Sequence, residues 1–378
     1  MQDQLTNRIH RFVASSLVSG DCESKGLYAV ATTPGLVRKE NQDCAIVVTA
    51  RYGETPDRDF DIAVVCDGLG GMKHGREAAL LGLSSFVSKI LRTSRVPAVD
   101  RVRRAIDHAN LEIFNVLRGG GGTTLSAVVI FRSGLTIVGH AGDSRVYAVS
   151  ADELRQLSQD DTLGAALKRT SEQEDLRKDS RLLQFVGMGE DLQPHIFTAA
   201  LPDVWSYVLT TDGAHDLPHS LLLRTLSGTQ HNPSLARKLV QISESFGGAD
   251  NATVAIVPAR VPPEEGGKFE GLDLMLLNHT GRLDIWIPLL ADDKREYRDQ
   301  LAESMPTPPA GEQGGTDAAQ VPVEQSGTSK PPKSEKKIRE RKKARKKSAR
   351  TKGGSEARDQ LPFSENVDIR FPENGDKE

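Results

Sequence analysis

Seven short, β-branched runs punctuate the first 260 residues, each closed by turn residues at both ends: Ala45–Thr49, Ile62–Cys66, Leu125–Phe131, Leu135–Val138, Val146–Val149, Tyr207–Thr211 and Thr253–Val257. Runs of this length and character predict buried strands. Between them a helical period takes over. After Gly75, residues Leu83, Phe86, Val87, Ile90 and Leu91 recur at three- and four-residue spacing and make one apolar face. Pro97 opens a second helix carrying Val102, Ile106, Ala109, Ile113 and Val116, which the glycine run 119–122 stops. A third runs from about Pro233 to Phe246, with Leu235, Leu239 and Ile242 facing inward.

The order is strand pairs, a helix pair, more strands, one helix and a last strand. Alternating β-α-β units would read differently, so the pattern implies an α+β fold. Two antiparallel sheets packed face to face with helices outside, a four-layer α-β-β-α sandwich, would bury every run. This core is expected to end near Ala259, giving a domain over 1–260. Beyond it, 271–290 alternates on both sides of "NHTG", with Leu272, Leu274 and Leu276 before and Leu283, Ile285 and Ile287 after. That predicts an appended β-hairpin within 261–300. From about Pro306 to Gly354, Pro, Gly, Ser, Lys and Glu dominate, too polar to bury a core, and 301–378 reads as a disordered tail.

Charge changes the picture of that tail. The 378 residues carry a net −3, but Lys330–Lys352 holds thirteen Lys/Arg against two Glu, a local +11 that leaves −14 on the rest. The segment could bind nucleic acid or an anionic surface by counterion release, although it has no aromatic residue to stack on bases. Equally it reads as a solvated charge run. Three cysteines, Cys22, Cys44 and Cys66, suit neither a disulfide framework nor a zinc cluster, which points to a reducing compartment. The N-terminus lacks the charged and apolar regions of a leader, and no apolar run approaches the roughly 20 residues a membrane helix needs. A cytoplasmic protein that does not span the membrane is expected.

Candidate chemistry begins at "CDGLGG", Cys66–Gly71. It is not a dinucleotide loop, because the glycines fall at 68, 70, 71 and 75 with lysine at 73. What remains is an aspartate at a strand tip, and that arrangement recurs. "VVCDGLGG" places Asp67, "VGHAGDSRVY" Asp143, "YVLTTDGAHD" Asp212 and "GGADNATVAIV" Asp250, each beside glycine at a strand end. Any one alone reads as a turn residue. If the four converge, their repulsion is relieved by cations, and oxygen ligation without His or Cys favours Mg²⁺ or Mn²⁺.

In order along the chain stand "RKENQD", "VVCDGLGGMKHGREAA", "GGTTLSAVV", "VGHAGDSRVYAV", "LSQDDTL", "LLQFVGMG", "LTTDGAHDLP" and "GGADNATVAIV". Over about 26–258 this set resembles the metal-dependent protein serine/threonine phosphatases, the type 2C or PPM family, of the bacterial kind. The resemblance implies a β-sandwich flanked by helices and hydrolysis of phosphoserine or phosphothreonine by water activated between two Mn²⁺ or Mg²⁺ ions. It implies that Asp67 bridges the ions, Gly68 lends its carbonyl, and Asp212 and Asp250 complete the first ion's ligands. Asp143 with Asp212 would hold a third. Asp43 would act through metal-bound water and Arg38 would hold the substrate phosphate. The implied partners are a phosphorylated protein and a cognate serine/threonine kinase.

Two positions depart from the family pattern. Gln42 replaces a frequent glutamate, and Leu69 stands where animal members carry a histidine that protonates the leaving group. His74, His140 and His215 read as structural, and Cys44 and Cys66 as buried small residues. Between Thr162 and Arg181 the chain is short and charged, so any substrate lid would be small. A second reading therefore stays open, a catalytically weak phosphatase fold that binds phosphoproteins or partners. A nucleic-acid scaffold rests on the basic tail alone.

Overall fold

The computed structural model describes residues 4–14, 19–24, 26–53, 55–94, 96–167, 179–226, 234–262, 270–288 and 368–370. All belong to one compact unit, formed by Met1–Asp293 and Gln360–Glu378. The polybasic segment 330–352 lies outside the described residues, as does the expected disordered tail apart from 368–370.

Two antiparallel sheets form the centre. The first has six strands in the spatial order β1 (Gly20–Ser24), β2 (Tyr28–Thr33), β11 (Ala252–Pro258), β10 (Ser206–Thr210), β7 (Arg145–Val149) and β8 (Leu154–Gln156). The second has eight: β14 (Asp368–Arg370), β13 (Gly281–Ile287), β12 (Leu272–Asn278), β3 (Asp43–Tyr52), β4 (Phe60–Asp67), β5 (Leu125–Phe131), β6 (Thr136–Ala141) and β9 (His195–Thr198). Outside the second sheet lie α1 (Gln4–Ala14), α2 (Gly75–Arg92) and α3 (Ala98–Leu117); α4 (Leu163–Leu167) follows β8. Outside the first lie α5 (Asp212–His215), α6 (His219–Leu226) and α7 (Leu235–Ser245). The architecture is the four-layer α-β-β-α sandwich of the α+β class that the order of runs implies. Among the described residues no helix is long and apolar enough to cross a membrane.

Side-chain alternation explains why both faces of β3 and β4 are apolar. Ile46, Val48, Ile62 and Val64 point into the core under the helices, whereas Ala45, Val47, Ala63 and Val65 point between the sheets. A strand covered on both faces needs hydrophobic residues at every position. The hairpin feeds the same two layers: Leu272, Leu274 and Leu276 join the helix-side core, and Met275 and Leu277 the inter-sheet core. Its first strand pairs with β3 from Leu272 opposite Tyr52 to Leu277 opposite Val47, so the hairpin continues the central sheet.

Candidate metal and phosphate site

Antiparallel pairing sets the end of one strand beside the start of its neighbour, and this collects the aspartates. Asp43, starting β3, stands opposite Asp67, ending β4. Asp143 lies in the turn between β6 and β7, and the start of β7 pairs with the end of β10, where Asp212 follows. That end of β10 pairs with the start of β11, which Asp250 precedes. All five carboxylates therefore occupy one end of the sandwich. Asp143, Asp212 and Asp250 line a common cavity of about 570 Å³, together with Asp160, Asp179 and Arg145.

Crowding leaves its mark on their acidity. Burial, then the charges of Asp43, Asp212, Asp143 and Asp250, lifts the Asp67 carboxyl well above the usual range. Burial pushes Asp43 up to about 7, helped by Asp212 and Asp250 and opposed by hydrogen bonds from Thr211 and Thr253. Asp143 also rises to about 7, through burial and then the charges of Asp212 and Asp160. Asp212 rises through burial and then Asp250. Carboxylates gathered out of water repel one another, and only a proton or a cation relieves them.

One cation of the chain already reaches the cluster. Arg38 extends Nη2 to Asp250 Oδ2 at 2.5 Å while remaining half exposed. A methyl group on Gly70 would stand 3.2 Å from Arg38 Nη1 and 3.5 Å from Gln42 Oε1, so both side chains lie over the "CDGLGG" loop. Gly68 has no room for a side chain: a Cβ there would collide with the carbonyls of Gly75 and Gln42. Its amide donates to Gln42 O at 3.2 Å. Around Asp67, the backbone carbonyl accepts from the Thr124 amide and the Thr123 hydroxyl, each at 2.8 Å. The strand tip is thereby fixed on the β5 side.

The residues fit a divalent cation by donor chemistry. Their atoms are hard, anionic oxygens. Asp43 accepts from the Thr211 hydroxyl at 2.7 Å through Oδ2, while its buried Oδ1 has no hydrogen-bond partner. Among the described residues no three acidic, histidine or cysteine side chains stand close enough together, as placed, to hold a metal ion. Arg38 and protons would balance the cluster in that arrangement.

Some participants carry no clear sequence signal. Asn251 donates from Nδ2 to Pro34 O at 2.9 Å and Glu40 O at 3.0 Å, and accepts the Gln42 amide at 2.8 Å. It thus clamps the loop that bears Arg38. Thr211 accepts the Thr253 amide at 2.9 Å as it donates to Asp43. An asparagine or threonine at a strand end is too common to single out without knowing what lies across the fold. The histidines are engaged elsewhere. His140 meets Ser126 Oγ at 2.8 Å and Gln159 O at 3.0 Å, His215 meets Thr210 Oγ1 at 2.9 Å, and His74 pairs with Glu77 at 2.6 Å. Leu69 packs toward Gly122, where a Cβ would lie 2.9 Å from its Cδ1. Of the short stretch 162–181, Leu163 and Gly164 donate to the carbonyls of Arg181 and Asp179, and 168–178 lies outside the described residues.

Fold and site together define a layered α+β protein with an acidic cleft suited to divalent cations and an arginine at its mouth. No family profile matches the chain. It is 27% identical over 241 residues to the serine/threonine phosphatase stp of Listeria innocua, covering 60% of this chain and 93% of that protein. It is 28% identical over 246 residues to the protein phosphatase PhpP of Streptococcus pneumoniae, covering 61% and 96%. Among solved structures, the PPM Ser-Thr phosphatase MsPP from Mycobacterium smegmatis, in complex with cacodylate, is similar with a TM-score of 0.51 and 25% identity, over 61% of this chain and 97% of that one. The chain is thus similar, along nearly the whole length of these proteins, to bacterial serine/threonine phosphatases of the PPM type.

Proposed function

We propose that the protein is a bacterial protein phosphatase that hydrolyses phosphoserine and phosphothreonine, with Mn²⁺ or Mg²⁺ as cofactor. The observation that carries this reading is the gathering of Asp43, Asp67, Asp143, Asp212 and Asp250 at one end of the sandwich, with Arg38 reaching in. The similarity to phosphatases of Listeria and Streptococcus along nearly their whole length supports it. So does the cacodylate of the mycobacterial relative, a tetrahedral oxyanion shaped like a phosphate ester.

Asp67, the Gly68 carbonyl, Asp212 and Asp250 would hold two ions, and Asp143 with Asp212 a third. Bound there, the ions would supply positive charge to the phosphoryl oxygens and acidify the attacking water. Arg38 would turn its guanidinium from Asp250 to the phosphate, where two parallel N–H donors match two oxygens. Asp43 would use its free Oδ1 to accept a hydrogen bond from the attacking water, its orientation fixed by Thr211. Cys44 and Cys66 sit in the core beneath the helices, so neither is a nucleophile and direct attack by water remains. Leu69 offers no proton, and the leaving alkoxide would take one from solvent. A serine/threonine kinase would supply the substrates.

With Mn²⁺, the purified protein is expected to hydrolyse p-nitrophenyl phosphate and a phosphothreonine peptide. Asp212→Asn should lower the rate by about a hundredfold or more, as expected when charge stabilisation in the transition state is removed. Folded wild-type protein that binds Mn²⁺ yet turns over neither substrate would overturn the proposal.

A further inference from the structure

Three large apolar side chains stand in water at the mouth of the cleft. Leu36 is 69% exposed, Val37 67% and Phe246 62%, the three highest values for large hydrophobics among the described residues. Scattered apolar residues on a surface are ordinary, but a group that adjoins a functional cleft marks a contact surface. Leu36 and Phe246 adjoin through Gly248. The Leu36 amide donates to Gly248 O at 2.8 Å, and a methyl on Gly248 would meet Leu36 Cγ at 2.9 Å.

This backbone is tightly held. Gly35 adopts φ +74°, and a side chain there would run into the Gly248 and Asp250 carbonyls. The Thr33 hydroxyl donates to Glu244 Oε1 at 2.6 Å, tying the loop to α7. The platform therefore has a fixed position relative to the cleft. Phe246, Gly248 and Asp250 line the same cavity as Asp212, and Val37 immediately precedes Arg38, whose guanidinium holds Asp250.

We infer that Leu36, Val37 and Phe246 receive an apolar side chain next to the phosphorylated residue of the substrate and so set a sequence preference. This rests on the phosphatase reading above. A peptide whose phosphate sits at Arg38 must leave the cleft over its rim, and this rim is apolar. The remaining wall carries Asp143, Asp160 and Asp179, with Arg145 already paired to Asp160 and Arg181 to Asp179, so among the described residues the lining offers no unpaired cation to an acidic neighbour. The occupant is thus a leucine- or phenylalanine-flanked phosphoresidue, not an acidic one.

The test compares kcat/KM for two phosphothreonine peptides, one flanked by leucine and one by aspartate, in wild type, Leu36→Ser and Phe246→Ser, with p-nitrophenyl phosphate as a flank-free control. Wild type is expected to favour the leucine peptide about tenfold. Each variant should lose most of that preference while hydrolysing p-nitrophenyl phosphate at the wild-type rate. Equal rates on both peptides in wild type, or a preference that survives both substitutions, would overturn the inference and leave the phosphatase reading intact. If neither p-nitrophenyl phosphate nor either peptide is hydrolysed, the phosphatase reading fails, and peptide affinities measured by calorimetry decide the platform. A leucine advantage lost in the variants supports it, and equal affinities reject it. A platform that instead joins two copies of the chain would show as a change in oligomeric state in Leu36→Ser with the peptide preference unaltered, which also overturns the inference.

Discussion

Asn251 shows how one uncharged side chain can govern a charged site. Its amide uses both donors and its oxygen on the backbone of 34–42, the loop from which Arg38 reaches Asp250. A buried hydrogen bond contributes about 1 kcal/mol net, and leaving partners unsatisfied costs about 1–3 kcal/mol. Asn251→Ala strands two carbonyls and one amide, so the fold should lose about 2–4 kcal/mol. The larger effect should fall on catalysis, because Arg38 would lose its fixed base. We expect kcat/KM for p-nitrophenyl phosphate to fall at least about tenfold, with KM rising. Steady-state kinetics beside thermal melting check this, and an unchanged KM in a destabilised variant would show that the clamp serves stability alone.

At the scale of elements, the turn between β12 and β13 buries a histidine. Asn278 Oδ1 accepts the amides of Thr280 at 2.9 Å and Gly281 at 3.1 Å, shaping the turn. His279 is packed against Gly20, its Nε2 is buried without a hydrogen-bond partner, and burial, then the nearby charge of Arg76, lowers its pKa to about 4. The unfolded chain takes up the proton near 6.5 and the folded chain only near 4. Stability from this group is therefore fully present above about 6.5 and is lost as pH falls toward 4, below which the loss levels off. Between pH 7 and pH 5 the loss is about 2 kcal/mol, at roughly 1.4 kcal/mol per pKa unit. Denaturant melts at the two pH values should show a smaller decline in His279→Gln than in wild type. An equal decline would place the pH sensitivity elsewhere.

The same scale shows what the chain discloses by itself. Central strands such as β3, β4 and β5 are legible because burial on both faces demands unbroken apolar runs, and the hairpin is legible through its alternation. β2 reads poorly although every residue of "YAVATT" is buried, since alanine and threonine carry little hydrophobic signal. β1, β8 and β9 are short and partly exposed, which leaves little apolar pattern to read, and β9 owes its pairing to β6, distant in sequence. For α1, only Ile9 and Val13 are fully buried, too few to announce a helix. The aspartates stand out because each lies at one end or the other of a legible strand. Asn251 and Thr211 do not, because their meaning lies in partners that only the folded chain brings near.

At the scale of the whole molecule, the stretch shared with the Listeria and Streptococcus phosphatases covers about three-fifths of the chain, yet the sandwich draws on more. The hairpin places Leu272, Leu274, Leu276, Ile285 and Ile287 in the helix-side core and Met275 and Leu277 in the inter-sheet core. It also holds α1, through Asn278 Nδ2 donating to Phe12 O at 2.8 Å. Each buried aliphatic side chain contributes about 1.5–3 kcal/mol, so seven approach or exceed the roughly 5–15 kcal/mol of net stability typical of a whole domain. Without the hairpin, β3 would also present an unpaired, hydrophobic edge, a template for aggregation. A chain ending at 262 should therefore be insoluble or molten, while one ending at 288 should keep a cooperative melt and bind Mn²⁺. Expression of both lengths with thermal melting and metal titration makes the comparison. A soluble, cooperatively melting 1–262 chain would show that the two sheets stand without their added strands.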